Sequence, residues 1–276
     1  MTLDHCRAGA GHLRIQMSSG QSAATSVRAS SPLKILVPRP RGPSVWACLS
    51  SFGGGLVAGD EVSVTLSLGE QARCCLSTQA STKVYRNPGA RPCSHHLQAQ
   101  LGRGSFLAVI PDPVQAFLGS RYRQQQEFSL APQSGLVLVD WLCSGRAARG
   151  ERWAFHCFQS RNEVTLGDSL VLLDSLMLDP ADGPLGGTYR LGRFNCLALV
   201  LVLGESLQAA SARVLEDFSH RPVPRHASLV SSASPIAHGA LVRLAGQSVE
   251  AVGQEIRRLL GFLPELLQDD PWSRKW

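Results

Sequence analysis

Polar and apolar residues alternate most regularly in residues 61–68. The odd positions of this segment are Glu, Ser, Thr and Ser, and the even positions are Val, Val, Leu and Leu. Alternation with period two over the whole segment predicts a half-buried β-strand. Other apolar runs, bounded by Gly, Pro or Asp, predict further strands. They lie at residues 33–37, 45–49, 106–110, 136–139 and 170–173.

The run at residues 197–203 differs from these strands because all seven of its residues are apolar. A strand that is apolar on both faces is typical of a position covered on both sides. We therefore expect this strand to lie in the buried centre of a sheet.

Apolar residues with helical spacing occur only towards the C-terminal end. One set follows Ser206 and a second follows Ser248, which predicts two helices, and Ser248 is a candidate N-cap for the second. The two sets are Leu207, Val214, Leu215 and Phe218, and then Val249, Val252, Ile256, Leu259, Leu260 and Leu263.

Many strands followed by two helices predict a mainly β, or α+β, fold rather than a βαβ alternation. Neither an internal repeat nor a linker divides the sequence, so we expect a single domain over residues 1–276. Residues 17–31 are rich in Ser and Ala. We therefore expect residues 1–31 to contribute a polar strand pair or a loosely ordered N-terminal arm.

Charge and composition narrow the function classes. Only 17% of the residues are charged, and 24 of the 27 basic residues are arginine, because Lys34, Lys83 and Lys275 are the only lysines. Arginine is enriched at protein interfaces. The arginines are scattered rather than gathered into a stripe, which argues against nucleic-acid binding. The low charge fraction favours a turn-rich β protein, or one that buries much of its surface against partners.

The sequence indicates neither a membrane span nor a redox-active or metal-binding cysteine pair. The longest apolar run has seven residues, whereas a bilayer span needs about 20. Residues 1–20 contain no continuous apolar core of a signal peptide, so we expect a cytoplasmic location. None of the eight cysteines forms a Cys-x-x-Cys pair, so neither a zinc ribbon nor a redox pair is indicated. Most cysteines are expected to be buried free thiols.

Motifs of common enzymes are absent or lack their structural context. Residues 53–58 match the G-x-G-x-x-A dinucleotide pattern, but a predicted strand follows instead of the required helix. We interpret this glycine run as a tight connection where backbone passes close to backbone. Cys93, His95 and His96 form the closest Cys/His group. We interpret them as part of an exposed loop, with a soft-metal site as the alternative.

Several carboxylates lie beside apolar or glycine-rich segments rather than in charged runs. They are Asp60, Asp112, Asp140 and Glu151. One interpretation is that they cap backbone amides or pair with the nearby Arg146, Arg149 and Arg152. The alternative is that they line an oxygen-rich path for a divalent cation. No acid-base or nucleophilic constellation accompanies them, so we expect that the protein is not an enzyme.

Five strings, in order, resemble the urease accessory protein D family over essentially the whole chain. They are SFGGGLVAGD (51–60), TQASTKVYR (78–86), PDPVQAF (111–117), DWLCSGR (140–146) with GERW (150–153), and PWSRKW (271–276). The resemblance implies a non-enzymatic, wound and layered fold of many strands with two helices. It also implies a urease maturation chaperone that binds apo-urease and accessory protein F, through which accessory protein G, a GTPase, delivers nickel.

The resemblance further implies an internal channel for Ni²⁺ in transit, with no tightly bound cofactor. Carried over by position, the candidate nickel-path residues are Asp60, Glu61, Asp140 and Asp174, the last replacing a family glutamate. Structural or interaction candidates are Ser81, Thr82, Lys83, Arg146 and Glu151. Two alternatives stay open: a scaffold of the urease activation complex that conducts no ion, and a metal-dependent enzyme that uses Asp60, Asp140 and Glu151.

Overall fold

The computed structural model describes residues 7–274, and strands dominate them. In chain order the strands are β1 (Ala10–Ser18), β2 (Gln21–Ala29), β3 (Leu33–Leu36), β4 (Val45–Ser51), β5 (Glu61–Leu68), β6 (Arg73–Thr78), β7 (Thr82–Val84), β8 (Cys93–Leu101), β9 (Phe106–Val109), β10 (Val114–Ala116), β11 (Arg121–Leu130), β12 (Gly135–Cys143), β13 (Cys157–Leu166), β14 (Ser169–Leu178), β15 (Cys196–Leu203), β16 (Leu229–Ile236) and β17 (Gly239–Gly246). The α-helices are α1 (Gln208–Ser219), α2 (Val249–Leu259) and α3 (Leu263–Leu267).

The chain winds back and forth between two stacked sheets. Sheet 1 has the order β14-β13-β11-β8-β5-β1-β2, and sheet 2 has the order β16-β17-β15-β12-β9-β6-β4-β3. Strand β10 is attached to β12, and β7 pairs with β10. Strands β5, β8, β11 and β13 are parallel neighbours in sheet 1, and β4, β6, β9 and β12 are parallel neighbours in sheet 2. Each return between sheets thus adds a parallel strand without a crossover helix. The predicted mainly β, wound fold is confirmed.

Consecutive residues of β12 face two different hydrophobic cores. Leu138 packs between the sheets with Leu66 and Phe128. Val137 points to the opposite side of sheet 2, where it joins a cluster with Ile256 of α2. The strands of sheet 2 are therefore buried on both faces, by sheet 1 on one side and by the helices on the other.

The strand pattern predicted the strongest elements well. Strand β5 begins and ends at the residues that the alternation indicated, because its apolar side faces sheet 2 and its polar side faces solvent. Strand β15 contains the apolar run at residues 197–203 and lies between β12 and β17, as expected for a central strand.

Both predicted helices are present, but the second is shorter than its apolar pattern. The Ser248 hydroxyl accepts a hydrogen bond from the Ala251 N–H at 3.1 Å, which confirms Ser248 as the N-cap of α2. Helix α2 ends at Leu259, and Leu263 begins the separate helix α3, which carries Pro264 in its first turn. The apolar spacing continues across the break because both helices pack on sheet 2.

The glycine run forms the predicted tight connection. The Leu56 N–H donates to the Lys83 carbonyl at 2.8 Å, and the Tyr85 N–H donates to the Leu56 carbonyl at 2.9 Å. A Cβ atom on Gly55 would lie 2.6 Å from that Lys83 carbonyl oxygen, so a side chain cannot fit there. A short 3₁₀ turn at Phe52–Gly54 precedes this contact, and no α-helix follows it before β5.

The interpretation of His95 and His96 as loop residues is wrong. Both lie in β8, whose inward positions include Cys93, Leu97 and Ala99. His95 occupies an inward position of this alternation, while His96 points the other way, with its Nε2 3.6 Å from Glu127 Oε1. The sequence pattern did not predict this strand because the polar residue His95 takes a position that is apolar in the rest of the alternation.

The N-terminal segment forms an antiparallel hairpin of β1 and β2, and β1 pairs in parallel with β5 at the edge of sheet 1. Residues 1–6 of the expected N-terminal arm lie outside the described residues. Of the helices described, none has the length and hydropathy that crossing a membrane demands.

Candidate functional site

Two cavities between the sheets share one lining residue, Asp140. The first has a volume of about 290 Å³ and reaches from Leu49 on β4 past Val109 on β9 to Asp140 on β12. The second has a volume of about 670 Å³ and reaches from Asp140 past Leu199 on β15 to Ser232 on β16. We call the two cavities together the inter-sheet passage.

Asp140 lies near the midpoint of the inter-sheet passage. Three strand-to-strand steps separate β4 from β12, and three more separate β12 from β16. Neighbouring strands lie about 4.8 Å apart, so the passage runs roughly 29 Å across sheet 2. The wound topology therefore brings one carboxylate to a position that borders both cavities.

Three side chains of sheet 1 position the Asp140 carboxylate. Gln124 Nε2 on β11 donates to Oδ1 at 2.9 Å. On β13, Ser160 Oγ and Asn162 Nδ2 donate to Oδ2 at 2.5 and 2.8 Å. A carboxylate offers about four acceptor positions, so roughly one stays open for a further ligand. Burial raises the pKa of Asp140 above its usual range, although the three hydrogen bonds act to lower it.

Two other polar side chains of the first cavity have pKa values shifted towards their neutral forms. Burial, with a smaller contribution from the neighbouring His96, lowers the pKa of His95 to about 4. Burial also raises the pKa of Tyr122, whose hydroxyl donates to Gln124 Oε1 at 3.2 Å. Within residues 7–274, no three His, Cys, Asp or Glu side chains converge to hold a metal ion. Asp140 and Asp112 are the carboxyl groups among the described residues that line this cavity.

Asp174 faces the second cavity and forms an ion pair with Arg243. Asp174 lies on β14 of sheet 1 and Arg243 on β17 of sheet 2, and both side chains line the cavity. The Asp174 side chain is 14% exposed, whereas that of Arg243 is 59% exposed. The two predicted residues Asp140 and Asp174 therefore line one cavity, with an arginine as a third charged group.

Asp60 and Glu61 lie outside both cavities. Asp60 Oδ2 accepts a hydrogen bond from the Val57 N–H at 2.8 Å and so closes the turn before β5. Glu61 is exposed and pairs with Arg7. Both contacts match the interpretation that carboxylates here cap backbone amides or pair with arginines, and neither side chain lies near Asp140 in the passage.

The second family string reaches the rim of the first cavity. Ser81 and Thr82 line this cavity beside Gly54 of the glycine run. Lys83 is exposed, and its backbone carbonyl holds the glycine run through the bond to Leu56.

Arg146 and Glu151 close the loop between β12 and β13. Arg146 Nε donates to Glu151 Oε2 at 2.9 Å, and the Arg146 guanidinium lies 4.5 Å from the centre of the Phe117 ring. The hydrogen bond from Arg146 holds the pKa of Glu151 below its usual range. Neither residue lines the passage, so their contacts shape the loop.

Comparison with known proteins places this architecture in a family. The family model described as "UreD urease accessory protein" matches residues 7–276. The chain belongs to the UreD family of urease accessory proteins. Among its relatives, "Urease accessory protein UreD" of Sorangium cellulosum is 47% identical over 272 residues, covering 98% of this chain and 85% of the relative.

More distant relatives span bacteria and plants. "Urease accessory protein UreD" of Anaeromyxobacter is 44% identical over 268 residues, covering 97% of this chain and 90% of the relative. "Urease accessory protein D" of Arabidopsis thaliana is 33% identical over 295 residues, covering 95% of this chain and 99% of the relative. Members of the UreD family thus match this chain over nearly its full length.

The C-terminal family string docks on the helical side of sheet 2. Pro271–Arg274 forms a 3₁₀ turn, and Trp272 packs against the cluster that contains Ile256. Lys275 and Trp276 lie outside the described residues.

Sequence reasoning missed the residues that position the acids of the passage. Gln124, Ser160 and Asn162 occupy inward positions of β11 and β13, two strands that the sequence pattern did not predict. The available signal was the period-two alternation of each strand, in which a polar residue takes one of the positions that otherwise hold apolar residues. Gln124, for example, alternates with Tyr122 and Phe128, which are both buried.

Proposed function

We propose that this protein is a urease maturation chaperone that binds the urease apoprotein and urease accessory protein F. Through accessory protein F, accessory protein G delivers nickel, and Ni²⁺ travels along the inter-sheet passage past Asp140 and Asp174. The observation that carries this proposal is the position of Asp140, whose carboxylate lines both cavities near the midpoint of the passage.

The chemistry of the passage suits an ion that must bind briefly and leave. Imidazole and thiolate ligands favour Ni²⁺, whereas a lone carboxylate offers a weaker contact. Asp140 presents one such carboxylate, and its three hydrogen-bond donors hold it in place without supplying a ligand set. Asp174 presents a second carboxylate further along the passage. Weak, separated contacts allow transfer, while a convergent site would retain the ion.

The connection with urease is supported by the relatives that carry the name urease accessory protein. Accessory proteins F and G enter from the family resemblance. The cytoplasm is the compartment we propose for the assembly, and we propose an accessory, non-catalytic role for the chain.

The test compares Asp140→Asn with Asp168→Asn. The control makes the same chemical change at an exposed residue of the turn between β13 and β14. Each variant is co-expressed with the matching urease and accessory proteins F and G. Complex recovery, urease-bound nickel and urease activity are then measured together. We expect Asp140→Asn to keep the complex but to lower urease-bound nickel on the order of tenfold, with Asp168→Asn at the wild-type level.

A scaffold that conducts no ion is the second candidate function. The specific observation in its favour is that Asp140 joins the sheets through Gln124, Ser160 and Asn162, a purely structural use of the carboxylate. In that case Asp140→Asn leaves both the complex and the nickel content of urease normal. That result would contradict transit through the passage while leaving the chaperone role intact.

A further inference from the structure

Three loops beside the second cavity are tied together by arginines. The loops cover residues 144–156, 179–195 and 220–228. Arg152 Nη2 of the first loop donates to the Gly192 carbonyl of the second at 2.9 Å. Arg193 Nη2 of the second loop donates to the Ala227 carbonyl of the third at 2.9 Å. The three loops are therefore in contact and lie side by side on the surface.

This surface carries arginines that form no ion pair within residues 7–274, although the charge of Arg149 also acts on the nearby Glu151. We define the arginine surface as Arg149, Arg152, Arg190, Arg193 and Arg225, which are all exposed. Among the residues that the structure describes, none of the five forms an ion pair. Arg152, Arg190 and Arg193 bind backbone carbonyls or an amide side chain, which leave the guanidinium charge uncompensated.

Exposed apolar groups accompany the charge. Tyr189 belongs to the second loop and is fully exposed, with a relative exposure of 101%. Val223 of the third loop is 69% exposed and lines the second cavity. Tyrosine and arginine are the residue types most enriched where proteins bind each other. The third loop thus reaches the second cavity through Val223, and the surface has the composition of a protein interface.

The charge pattern favours a protein over a nucleic acid. Carboxylates are interspersed with the arginines: Glu151 is bonded to Arg146, Asp179 accepts from the Ala181 N–H at 2.8 Å, and Asp182 is exposed. A phosphate backbone repeats its negative charge at short, regular intervals and would meet these carboxylates. A protein partner can place its own acidic groups opposite individual arginines.

We propose that the arginine surface is the docking site of a protein partner whose own surface is rich in carboxylates. When bound, this partner covers the mouth of the second cavity beside Val223. The inference rests on the proposed function only for the choice of the proteins that are tested as partners. Arginines at that mouth repel a dication, and the carboxylates of the partner neutralise them.

The test reverses charges that hold no part of the fold. Arg149 and Arg225 are exposed, and their side chains make no hydrogen bond within residues 7–274, so Arg149→Glu/Arg225→Glu is the loop variant. The matched control is Arg14→Glu/Arg28→Glu, which makes the same charge change on the β1–β2 hairpin near the opposite edge of sheet 1. Circular dichroism and thermal unfolding check that both variants fold, and Arg149→Gln/Arg225→Gln supplies a milder loop variant.

Binding is measured at low and moderate salt against three probes: the urease apoprotein, accessory protein F, and a labelled peptide of ten glutamates. We expect the loop variant to bind at least one of the two proteins on the order of tenfold more weakly than wild type. The control should match wild type, and the Gln variant should lie between. Added salt should weaken wild type more than the loop variant.

Equal affinities of the loop variant and the control for both proteins and the peptide would overturn the proposal. A labelled 20-nucleotide oligothymidine that binds wild type but not the loop variant, with both proteins unaffected, would assign the surface to nucleic acid instead. If wild type binds neither protein, the proposed function fails, and the peptide still decides the inference. Peptide binding lost only in the loop variant supports the surface, and equal binding overturns it.

Discussion

Asn162 on β13 donates a hydrogen bond to Asp140 on β12 across the space between the two sheets, with 2.8 Å between Asn162 Nδ2 and Asp140 Oδ2. The two strands follow each other in the chain but belong to different sheets. Their contact holds an ionisable carboxyl group in the interior, so the stability of the fold should depend on pH.

Asp140→Asn should become progressively more stable relative to wild type as the pH rises. Because burial raises the folded-state pKa of Asp140, its contribution to stability is fully present below the unfolded pKa, near 3.9, and is lost as the pH rises through the folded pKa. Asparagine carries no such dependence. Urea unfolding of both proteins from pH 4 to pH 8 gives the free energy of unfolding of Asp140→Asn minus that of wild type. This value should rise with pH, and a value that falls towards pH 8 would contradict the assignment.

Glu151→Gln should show the opposite pH dependence. The hydrogen bond from Arg146 lowers the folded-state pKa of Glu151, so its stabilising contribution is present above the unfolded pKa, near 4.3, and is lost as the pH falls through the folded pKa. Wild type should therefore be more stable than Glu151→Gln at pH 7, and the two should converge in acid. Thermal unfolding of both proteins at a series of pH values is the measurement. A stability difference between wild type and Glu151→Gln that stays constant with pH would contradict the prediction.

Arg243 and Asp174 should be energetically coupled. Arg243→Met leaves the Asp174 carboxylate facing the second cavity without its partner, while Asp174→Asn removes the charge that Arg243 neutralises. In a double-mutant cycle we expect a coupling free energy of about 0.5–1 kcal/mol, because Arg243 is mostly exposed and solvent screens the pair. Free energies of unfolding in urea provide the cycle. Additive effects of the two substitutions would mean that the ion pair contributes nothing to stability.

Gly55→Ala should destabilise the protein by about 1–3 kcal/mol. The added Cβ would lie 2.6 Å from the Lys83 carbonyl oxygen, which accepts the hydrogen bond of Leu56, so backbone must move. The control is Gly186→Ala, because a Cβ there has no atom within 4 Å and Gly186 has no positive φ. Chemical unfolding of both variants is the measurement. An equal loss in both would mean that the glycine run tolerates a side chain.

The local pattern of polar and apolar residues was sufficient to predict a strand or helix that has one apolar and one polar face. Strand β5 and the start of α2 were predictable because the burial of one face imposes a period on the sequence. Strands β8, β11 and β13 were not predicted, because polar residues such as His95, Gln124 and Asn162 occupy their inward positions. These residues line or support the passage, and their polar side chains interrupt the apolar phase of the three strands.

By itself the sequence determined the mainly β class, the two major helices and the family, because these depend on local periodicity and on ordered strings of residues. Only the tertiary structure decided which predicted acids belong together. Asp140 and Asp174 line one cavity, whereas Asp60 and Glu61 lie in turn and surface contacts. Alternation along a strand tells which face a side chain takes, but what it meets there depends on how the wound chain stacks one sheet on the other.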